Sequence, residues 1–459
     1  MTTLLWLRRA LRLDDNPALR HACDAGRLII ASPERLLPCS PVVSSMMRDM
    51  AGHRLDFRRQ CLASLASALS HRQHCLLLVE NDHIQTLVRL LSLYDIKHLI
   101  MDAHPDVEQQ QRLERELIRA MPRLRIDAID CNSLFNALQL GIDANSLPAV
   151  FSQFRRCIEK QLPVVESFDA PEVLPAAVVE DEIPSVIDQP DARTTDRFAG
   201  GEQAGLEHLY KYLFVDRDVR HYKDTRNGLL HDSDGSRFSV WLADGALSPR
   251  RIWTELDRYA AQYGEDKHTS WLRVELFWRE FFRWNLMLRG SSSYLRQYSL
   301  PPLSVEENQK LQAWQQGRTG IPFIDANMIE LQQTGFMSNR GRQNVASFLI
   351  HDLQVHWLYG AAWFEQNLLD FDLPSNLGNW AYIAGCGNDP RPHRQFNILR
   401  QADQYDPQAK YISHWLPCLA ALPLSERHSC FCSPNNPHCA PIIPMPSAWH
   451  PYLPQSSDM

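Results

Sequence analysis

The sequence has no apolar run of about 18 residues, the length that predicts a membrane-spanning helix. Its first six residues, MTTLLW, lack the charged start and long apolar stretch of a signal or transit peptide. The usual sequence signals for membrane insertion and for export are therefore missing. We therefore expect a cytoplasmic protein that is not inserted in a membrane.

An excess of positive charge is also missing. Lysine and arginine number 47 against 54 aspartates and glutamates, so the net charge is −7. This balance argues against broad, non-specific coating of nucleic acid, although a local basic groove stays open. The 11 cysteines have no even, disulfide-like spacing, which predicts reduced thiols.

The first 130 residues alternate short apolar runs with helical patterns. Strands are predicted at 4–7, 28–31, 75–79, 98–101 and 125–129, with helices near 14–25, 46–70, 82–93 and 106–120. This alternation predicts an α/β domain with a doubly wound, Rossmann-like parallel sheet. No G-x-G-x-x-G follows the first strand, which argues against a standard dinucleotide site there.

Later segments have different patterns. Prolines and an acidic patch at 180–182 predict a connector over residues 131–200. Residues 201–425 read as an all-helical second domain. Residues 426–459 predict a poorly ordered tail with little core. The tail cysteines Cys430, Cys432 and Cys439 lack paired C-x-x-C spacing, so no metal site is expected.

Residues 334–348 combine polar, glycine-rich sequence with the start of an apolar helix. Arg340 and Arg342 are two positions apart and point in different directions on a helix. With the amide of Asn339 beside them, they indicate recognition of an anion or a heterocycle. A surface loop with two solvated arginines is the alternative.

Two further segments carry candidate binding residues. Residues 235–242 begin a helix with serine hydroxyls and backbone amides, which suit a pyrophosphate, although a simple N-cap is the alternative. Residues 271–284 form an aromatic helix that would usually belong to a core. Within it, Glu275 and Arg279 are four apart and can form an ion pair.

Residues 370–382 contain two carboxylates, Asp370 and Asp372. Arg342 is the matching cation for Asp370, because a buried carboxylate needs such a partner. A solvated loop or a metal site would be the alternative for this D-x-D pattern, but no other residues complete a metal shell.

Together with the segments at 6–19 and 385–397, these motifs recur in one order, and the chain resembles the photolyase/cryptochrome flavoproteins over roughly residues 1–425. The resemblance is to the DASH-type branch, since Tyr382 and Gln343 match its pattern. It implies an N-terminal antenna domain and a C-terminal FAD-binding domain. The FAD contacts that it implies are Tyr222, Ser236, Arg237, Phe238, Ser239, Trp271, Arg279, Arg342, Asp370, Asp372 and Asn376.

The resemblance also implies a substrate, which is a cyclobutane pyrimidine dimer in single-stranded DNA. The implied catalytic residues are Glu275, Trp278, Asn339, Asn376 and Tyr382. The implied DNA contacts are Arg340, Gln343, Arg391 and Arg394. A smaller, more polar pocket would extract a dimer poorly from a duplex, whereas a single strand needs no base-pair opening.

Electron transfer to the flavin would use Trp380 as the proximal and Trp357 as the middle relay residue. The distal tryptophan of the family is replaced here by Ser304, for which Tyr294, Tyr298 or Trp363 are possible substitutes. The antenna chromophore typical of this branch is 5,10-methenyltetrahydrofolate. Glu108 is the matching acid for a pterin contact, although a helix N-terminal acid has the same sequence signature.

Three other functions stay open. The same fold could serve as a blue-light photoreceptor with a signalling partner and little repair, and the missing distal tryptophan favours that alternative. A duplex photolyase is disfavoured by Tyr382 and Gln343. An unrelated helical binding module would not need the flavin motifs. A monomer is expected in each case.

Overall fold

A computed structural model describes residues 2–38, 50–136, 140–161, 163–178, 197–295, 300–388, 394–432 and 440–453. Its N-terminal part is a parallel sheet with the strand order β3-β2-β1-β4-β5, and a short β6 pairs with β2. The strands are β1 Thr2–Trp6, β2 Arg27–Arg35, β3 Leu76–Asn81, β4 His98–Asp102, β5 Arg125–Ile129 and β6 Ala176–Ala177.

Helices cover both faces of this sheet, as the doubly wound prediction requires. They are α1 Pro17–Ala22, α2 Gly52–Ser70, α3 Ile84–Leu93 and α4 Val107–Ala120. Alternate strand residues enter different cores, since Leu5 packs with Phe57 of α2 and Leu4 packs with Leu91 of α3. The predicted fold class is therefore confirmed.

Local sequence signals set two of these helix starts. Asn16 caps α1 by accepting a hydrogen bond from the Leu19 amide at 3.1 Å, with Pro17 in the first helical turn. Asp106 caps α4 by accepting from the Glu108 amide at 3.0 Å. The helix predicted near 82–93 begins at Ile84, because His83 is the N-cap of α3.

The second domain is helical, and residues 201–425 contain no strand among those that the structure describes. Its α-helices are α6 Glu202–Tyr210, α7 Tyr222–Thr225, α8 Ser239–Ala243, α9 Pro249–Tyr263, α10 Lys267–Arg289, α11 Val305–Gln315, α12 Pro322–Thr334, α13 Asn339–Ser347, α14 Trp357–Asn367, α15 Leu373–Ile383, α16 Ile398–Tyr405, α17 Lys410–Trp415 and α18 Leu424–Arg427. Two π-helical turns, Lys211–Val215 and Phe348–Asp352, extend α6 and α13.

The connector between the domains is partly structured. It contains helix α5, Phe151–Gln161, as well as β6. Phe154 of α5 packs edge-to-face on Trp284 of α10, with ring centroids 5.4 Å apart. The predicted acidic patch at 180–182 lies outside the described residues. The part of the connector around α5 thus supports the long helix α10 of the second domain.

Two arginines join the two domains, one of them fully buried and the other half-buried. Arg12, which has no exposed surface, donates to the Gly245 carbonyl of the helical domain at 2.8 Å and to the Cys131 carbonyl at 2.6 Å. Arg250 of α9 pairs with Asp15 at 2.9 Å. A buried charge is costly unless it is paired, so separating the domains would leave these charges without partners. The contacts therefore hold the two domains together at the cleft.

The tail prediction was wrong for the part that the structure describes. Trp449 is 1% exposed and packs near Phe348, at a centroid distance of 6.4 Å. The Ile442 amide donates to the Thr319 carbonyl at 3.0 Å. Cys430 is disulfide-bonded, so the expectation of reduced thiols was also wrong at this position. Cys439 lies outside the described residues.

No helix in the described part of the chain is both long and apolar enough to cross a membrane.

Candidate functional site

A cavity of about 470 Å³ opens in the helical domain between α7, α8, α10, α13 and α15. Ten of the residues predicted to contact FAD line it, and they come from five separate segments. They are Tyr222, Ser236, Arg237, Phe238, Ser239, Trp271, Arg279, Arg342, Asp370 and Asp372. Asn376, the eleventh, lines an adjoining chamber of about 120 Å³.

One end of the cavity is formed by the turn that leads into α8. Arg237 has a left-handed backbone, with φ of 55°, which is strained for a residue with a side chain. The N-cap position of α8 is Phe238, and no side chain caps this helix. The alternative that the serines here serve as a simple N-cap is therefore wrong. Ser236 and Ser239 line the cavity on either side of Arg237 and Phe238.

Arg342 and Asp370 form the predicted ion pair. One Arg342 nitrogen, Nη2, donates to both carboxylate oxygens at 2.9 and 2.8 Å. The Asp370 side chain is only 2% exposed, so it depends on this guanidinium. Arg342 is held in turn, because its Nε donates to the Met337 carbonyl at 2.9 Å.

Asp372 caps α15 and carries a second buried charge. It accepts hydrogen bonds from the Ser375 hydroxyl at 2.6 Å and from its amide at 3.2 Å. Burial alone would raise the pKa of Asp372, but the charges of Arg279 and Arg283 and the Ser375 hydrogen bonds outweigh it and lower the pKa. Asp372 therefore stays ionised beside Arg279.

Glu275 does not pair with Arg279, so that prediction was wrong. Its Oε1 accepts from Arg226 at 2.5 Å and from the Trp271 indole at 3.0 Å. Burial raises the pKa of Glu275, and Arg226 only partly offsets this effect. Arg279 instead donates to the connector carbonyl of Asn132 at 2.7 Å. Helical spacing made the pair possible, but the connector gave Arg279 a closer partner.

Aromatic rings form a wall beside Glu275. Trp278 stacks on Phe151 of the connector, with centroids 3.6 Å apart and planes within 9°. Tyr382 meets Trp278 edge-to-face at 6.2 Å. The guanidinium of Arg394 lies 4.0 Å from the Tyr382 ring centroid and donates to its hydroxyl. This wall presents two flat aromatic side chains to the cavity.

The predicted DNA contacts lie at the mouth of the cavity. Arg340 donates to Gln343 at 2.9 Å and to Asn227 at 3.0 Å, and its guanidinium lies 4.5 Å from the Tyr405 ring centroid. Arg340, Gln343, Arg394 and Asn339 all line the cavity. Arg391 lies outside the described residues.

Sequence reasoning missed several members of the site. Arg226 lies four positions after Tyr222, a predicted FAD contact, but its role as the Glu275 partner had no local signal. Phe151 belongs to the connector, and Tyr405 to α16. No sequence pattern connects either ring with residues of α10 or α13, because the contacts span more than 60 positions.

The two predicted relay residues lie on neighbouring helices. Trp380, which is 2% exposed, packs against Gly360 of α14 so closely that a Cβ there would be 2.2 Å from the ring. Trp357 lies three residues before Gly360 and so shares its helical face. Trp314 was not considered, although its ring meets Trp380 edge-to-face at 6.3 Å.

Ser304 has a structural role where the family's distal tryptophan is expected. It caps α11, and its hydroxyl accepts from the Glu307 amide at 3.2 Å. Of the predicted substitutes, Tyr294 is buried and Trp363 is half-buried. Tyr298 lies outside the described residues.

Asn376 lines the smaller chamber in a fixed orientation. Its side-chain nitrogen donates to the Ala361 carbonyl at 3.0 Å. This bond sets the orientation of the amide group and therefore the direction of its oxygen. The chamber also contains Trp380 and Tyr382. One small amide, one relay residue and one aromatic wall residue thus surround the same space.

A second cavity, of about 310 Å³, lies between the two domains. It shares Leu242, Ala243, Arg279 and Asp372 with the larger cavity, so these residues form a common wall. Glu108 does not line it. Instead, Glu108 accepts hydrogen bonds from the Ser292 amide at 3.1 Å and the Ser291 hydroxyl at 3.3 Å, at the end of α10.

The donor set of the larger cavity fits a flavin dinucleotide. Serine hydroxyls, helix amides and guanidinium groups at one end suit a diphosphate. The pair of Arg342 with Asp370 offers polar edges for a heterocycle, and apolar and aromatic side chains fill much of the remaining lining.

Two family models match the chain. The model described as DNA photolyase covers residues 3–175, and the FAD binding domain of DNA photolyase covers residues 271–443. FAD is therefore the cofactor of the helical domain.

Known proteins of similar sequence are named Cryptochrome DASH. The protein from Synechocystis sp. is 37% identical over 93% of this chain and 90% of its own length. The chloroplastic/mitochondrial protein from Arabidopsis thaliana is 35% identical over 93% of this chain and 77% of its own.

Solved structures of a cryptochrome and of a photolyase are similar to this chain. The Synechocystis cryptochrome has a TM-score of 0.84 at 33% identity, covering 98% of this chain and 97% of that one. A class III photolyase from Agrobacterium tumefaciens has a TM-score of 0.79 at 26% identity, covering 95% and 90%. The chain belongs to the photolyase/cryptochrome family, within its DASH-type branch.

Proposed function

We propose that this protein repairs cyclobutane pyrimidine dimers in single-stranded DNA by light-driven electron transfer. One observation carries the proposal: Glu275, Trp278 and Tyr382 line the same cavity as the residues predicted to contact FAD. A dimer that entered this cavity would meet a carboxyl group and two aromatic faces next to the flavin site.

Bound FAD, reduced and excited by light, would supply the electron transfer chemistry for splitting the dimer. The chain's own residues position it. Arg279, Ser236 and Ser239 would hold the diphosphate, and Arg342 with Asp370 would hold the heterocycle by its polar edge. Asn376 would face the ring with an amide that can hydrogen-bond either as donor or as acceptor.

Glu275 would hydrogen-bond the dimer. Burial raises the pKa of Glu275, which makes its protonated form, able to donate to a base carbonyl, easier to reach than in an exposed glutamate, while the ion pair with Arg226 favours the carboxylate. Trp278 and Tyr382 would stack on the bases, since every base has a π-face. Asn339 offers a further amide at the same wall.

Contacts at the mouth of the cavity support the proposed preference for single strands. Tyr382 is held by Arg394, and Gln343 is held by Arg340. If binding a dimer disrupts these contacts, the net gain is small, and it does not offset extraction from a duplex, where unpairing and unstacking cost a few kcal/mol. Arg340 and Arg394 would exchange part of these contacts for DNA phosphates.

Cofactor reduction would use Trp380 and Trp357, which lie on facing helices. Ser304 cannot continue this relay, because it has no aromatic ring. Slow photoreduction is therefore part of the proposal.

The antenna would be 5,10-methenyltetrahydrofolate near Glu108. Glu108 lies at the domain junction, where Ser291 and Ser292 donate to its carboxylate, so a pterin amine would share or displace these contacts. An absorption band added by folate to wild-type protein, and lost in Glu108→Ala, is the expected result.

The test is illumination of the reduced protein with dimer-containing oligothymidine, as single strand and as duplex. Repair of the single strand alone is expected, and Glu275→Gln should slow it while FAD binding is unchanged. Equal repair of both substrates would favour a duplex photolyase.

A photoreceptor is the second candidate, favoured by Ser304 at the distal relay position. Flavin-bound protein that repairs neither substrate, yet binds a protein partner in a light-dependent way, would support it.

A further inference from the structure

Three side chains converge on one point at the edge of the α/β domain, away from the cavities. His21 comes from α1, His98 from β4 and Asp127 from β5. The two imidazole Nε2 atoms lie 3.0 and 2.8 Å from the same Asp127 oxygen. Potential ligand atoms of all three lie within 4.8 Å of one another.

We propose that this His-His-Asp cluster binds a divalent transition metal ion, with water completing the coordination. Two imidazoles and one carboxylate are a donor set that Zn²⁺ and Ni²⁺ accept. The present spacing of the ligand atoms is that of hydrogen bonds. Metal–ligand distances of about 2.0–2.2 Å therefore require the Asp127 oxygen to move aside by a rotation of its side chain.

The positions of the ligands are set by rigid elements. His98 and Asp127 lie on adjacent parallel strands, and the registered pairs are His98 with Arg125 and Ile100 with Asp127. The Thr3 hydroxyl lies 3.2 Å from Nδ1 of His98, which orients the ring and leaves Nε2 toward the cluster. A hydrogen bond to the second ring nitrogen is the usual support of a metal-binding histidine.

Arg125 is the competing cation. Its Nη2 lies 2.9 Å from Asp127, and its side chain is 65% exposed. Without metal, Arg125 and the two histidines share the negative charge of Asp127. Because Arg125 is exposed, it can swing into solvent when a metal ion takes its place.

The location gives the ion a structural role. Residues just before α1 join the domains, since Asp15 pairs with Arg250 and Asp14 with Arg251. An ion bound to His21 at the end of α1 would tie this helix to β4 and β5. The site was not expected from the sequence, because His21 and Asp127 are 106 positions apart.

The experiment is calorimetric titration of the FAD-loaded protein with Ni²⁺. This ion is chosen because it binds cysteine thiols less strongly than Zn²⁺ does. One site per chain is expected. His21→Ala should weaken it by about tenfold or more. Arg125→Ala should tighten it severalfold, because it removes the competing charge. His71→Ala, at an exposed histidine outside the cluster, should change nothing.

Both key substitutions are at solvent-accessible side chains, at 41% for His21 and 65% for Arg125, so folding is not at risk. A second readout is the rise in unfolding temperature on adding Ni²⁺, which should be smaller in His21→Ala than in wild type. The proposal is overturned if no one-to-one site is found, if His21→Ala binds as wild type does, or if Arg125→Ala does not bind more tightly.

Discussion

Arg342→Met should destabilise the protein more than any other single arginine change at the cavity. Its guanidinium makes two hydrogen bonds to Asp370, which is 2% exposed. Removing one partner of a buried pair leaves an uncompensated charge and costs about 3–5 kcal/mol. Arg342 itself is 24% exposed, so water can reach part of the site and the lower end, about 3 kcal/mol, is expected.

Asp370→Asn should cost less, about 1.5–3 kcal/mol, because Arg342 can turn toward solvent. The double variant should cost less than the sum of the two, since each single change already breaks the same pair. Urea unfolding of the FAD-saturated proteins measures all three. Arg340→Met, two positions away with neutral partners, is the matched control. If Arg342→Met costs no more than this control, Asp370 is not a buried carboxylate that depends on Arg342.

Three further predictions follow from single contacts. Gly360→Ala would place a Cβ 2.2 Å from Trp380, so the displaced ring should slow photoreduction of the bound flavin. Burial raises the pKa of Glu280 from 4.5 to about 7. The contribution of Glu280 to the free energy of unfolding is therefore fully present below pH 4.5 and is lost as pH rises through 7, by up to about 3 kcal/mol. Glu280→Gln should remove this pH-dependent loss of stability. Trp449→Ala, at a side chain 1% exposed, should cost about 3–5 kcal/mol in urea unfolding.

Two of these have a matched control variant, and the Glu280 prediction is checked against wild type. Gly52→Ala has no atom within 4 Å of its new Cβ and should leave photoreduction unchanged. Tyr452→Ala, at a side chain 41% exposed, should change stability by less than about 0.5 kcal/mol. Wild-type stability that does not fall between pH 5 and 8 relative to Glu280→Gln would contradict the buried-carboxyl reasoning. Photoreduction at the wild-type rate in Gly360→Ala would mean that the position of Trp380 does not limit it.

Local sequence determined the α/β domain. Apolar alternation set the strands, and Asn16 and Asp106 set two helix starts, because these signals act within a few residues. The ion pair of Arg342 with Asp370 was also predictable, because a buried carboxylate needs a cation and the recognised motifs contain few candidate arginines. The conformation of the tail was not, because its burial depends on Phe348, which lies about a hundred positions earlier.

The sequence by itself therefore determined the fold class and the branch of the family, and it predicted which segments contact the flavin. The tertiary structure alone decided which groups meet across the chain. In the structure, Glu275 pairs with Arg226 rather than with Arg279. Phe151 stacks on Trp278, and His21 contacts Asp127. The physical reason is that helical spacing and capping are local, whereas the partner of a buried charge or ring is set by packing between distant segments.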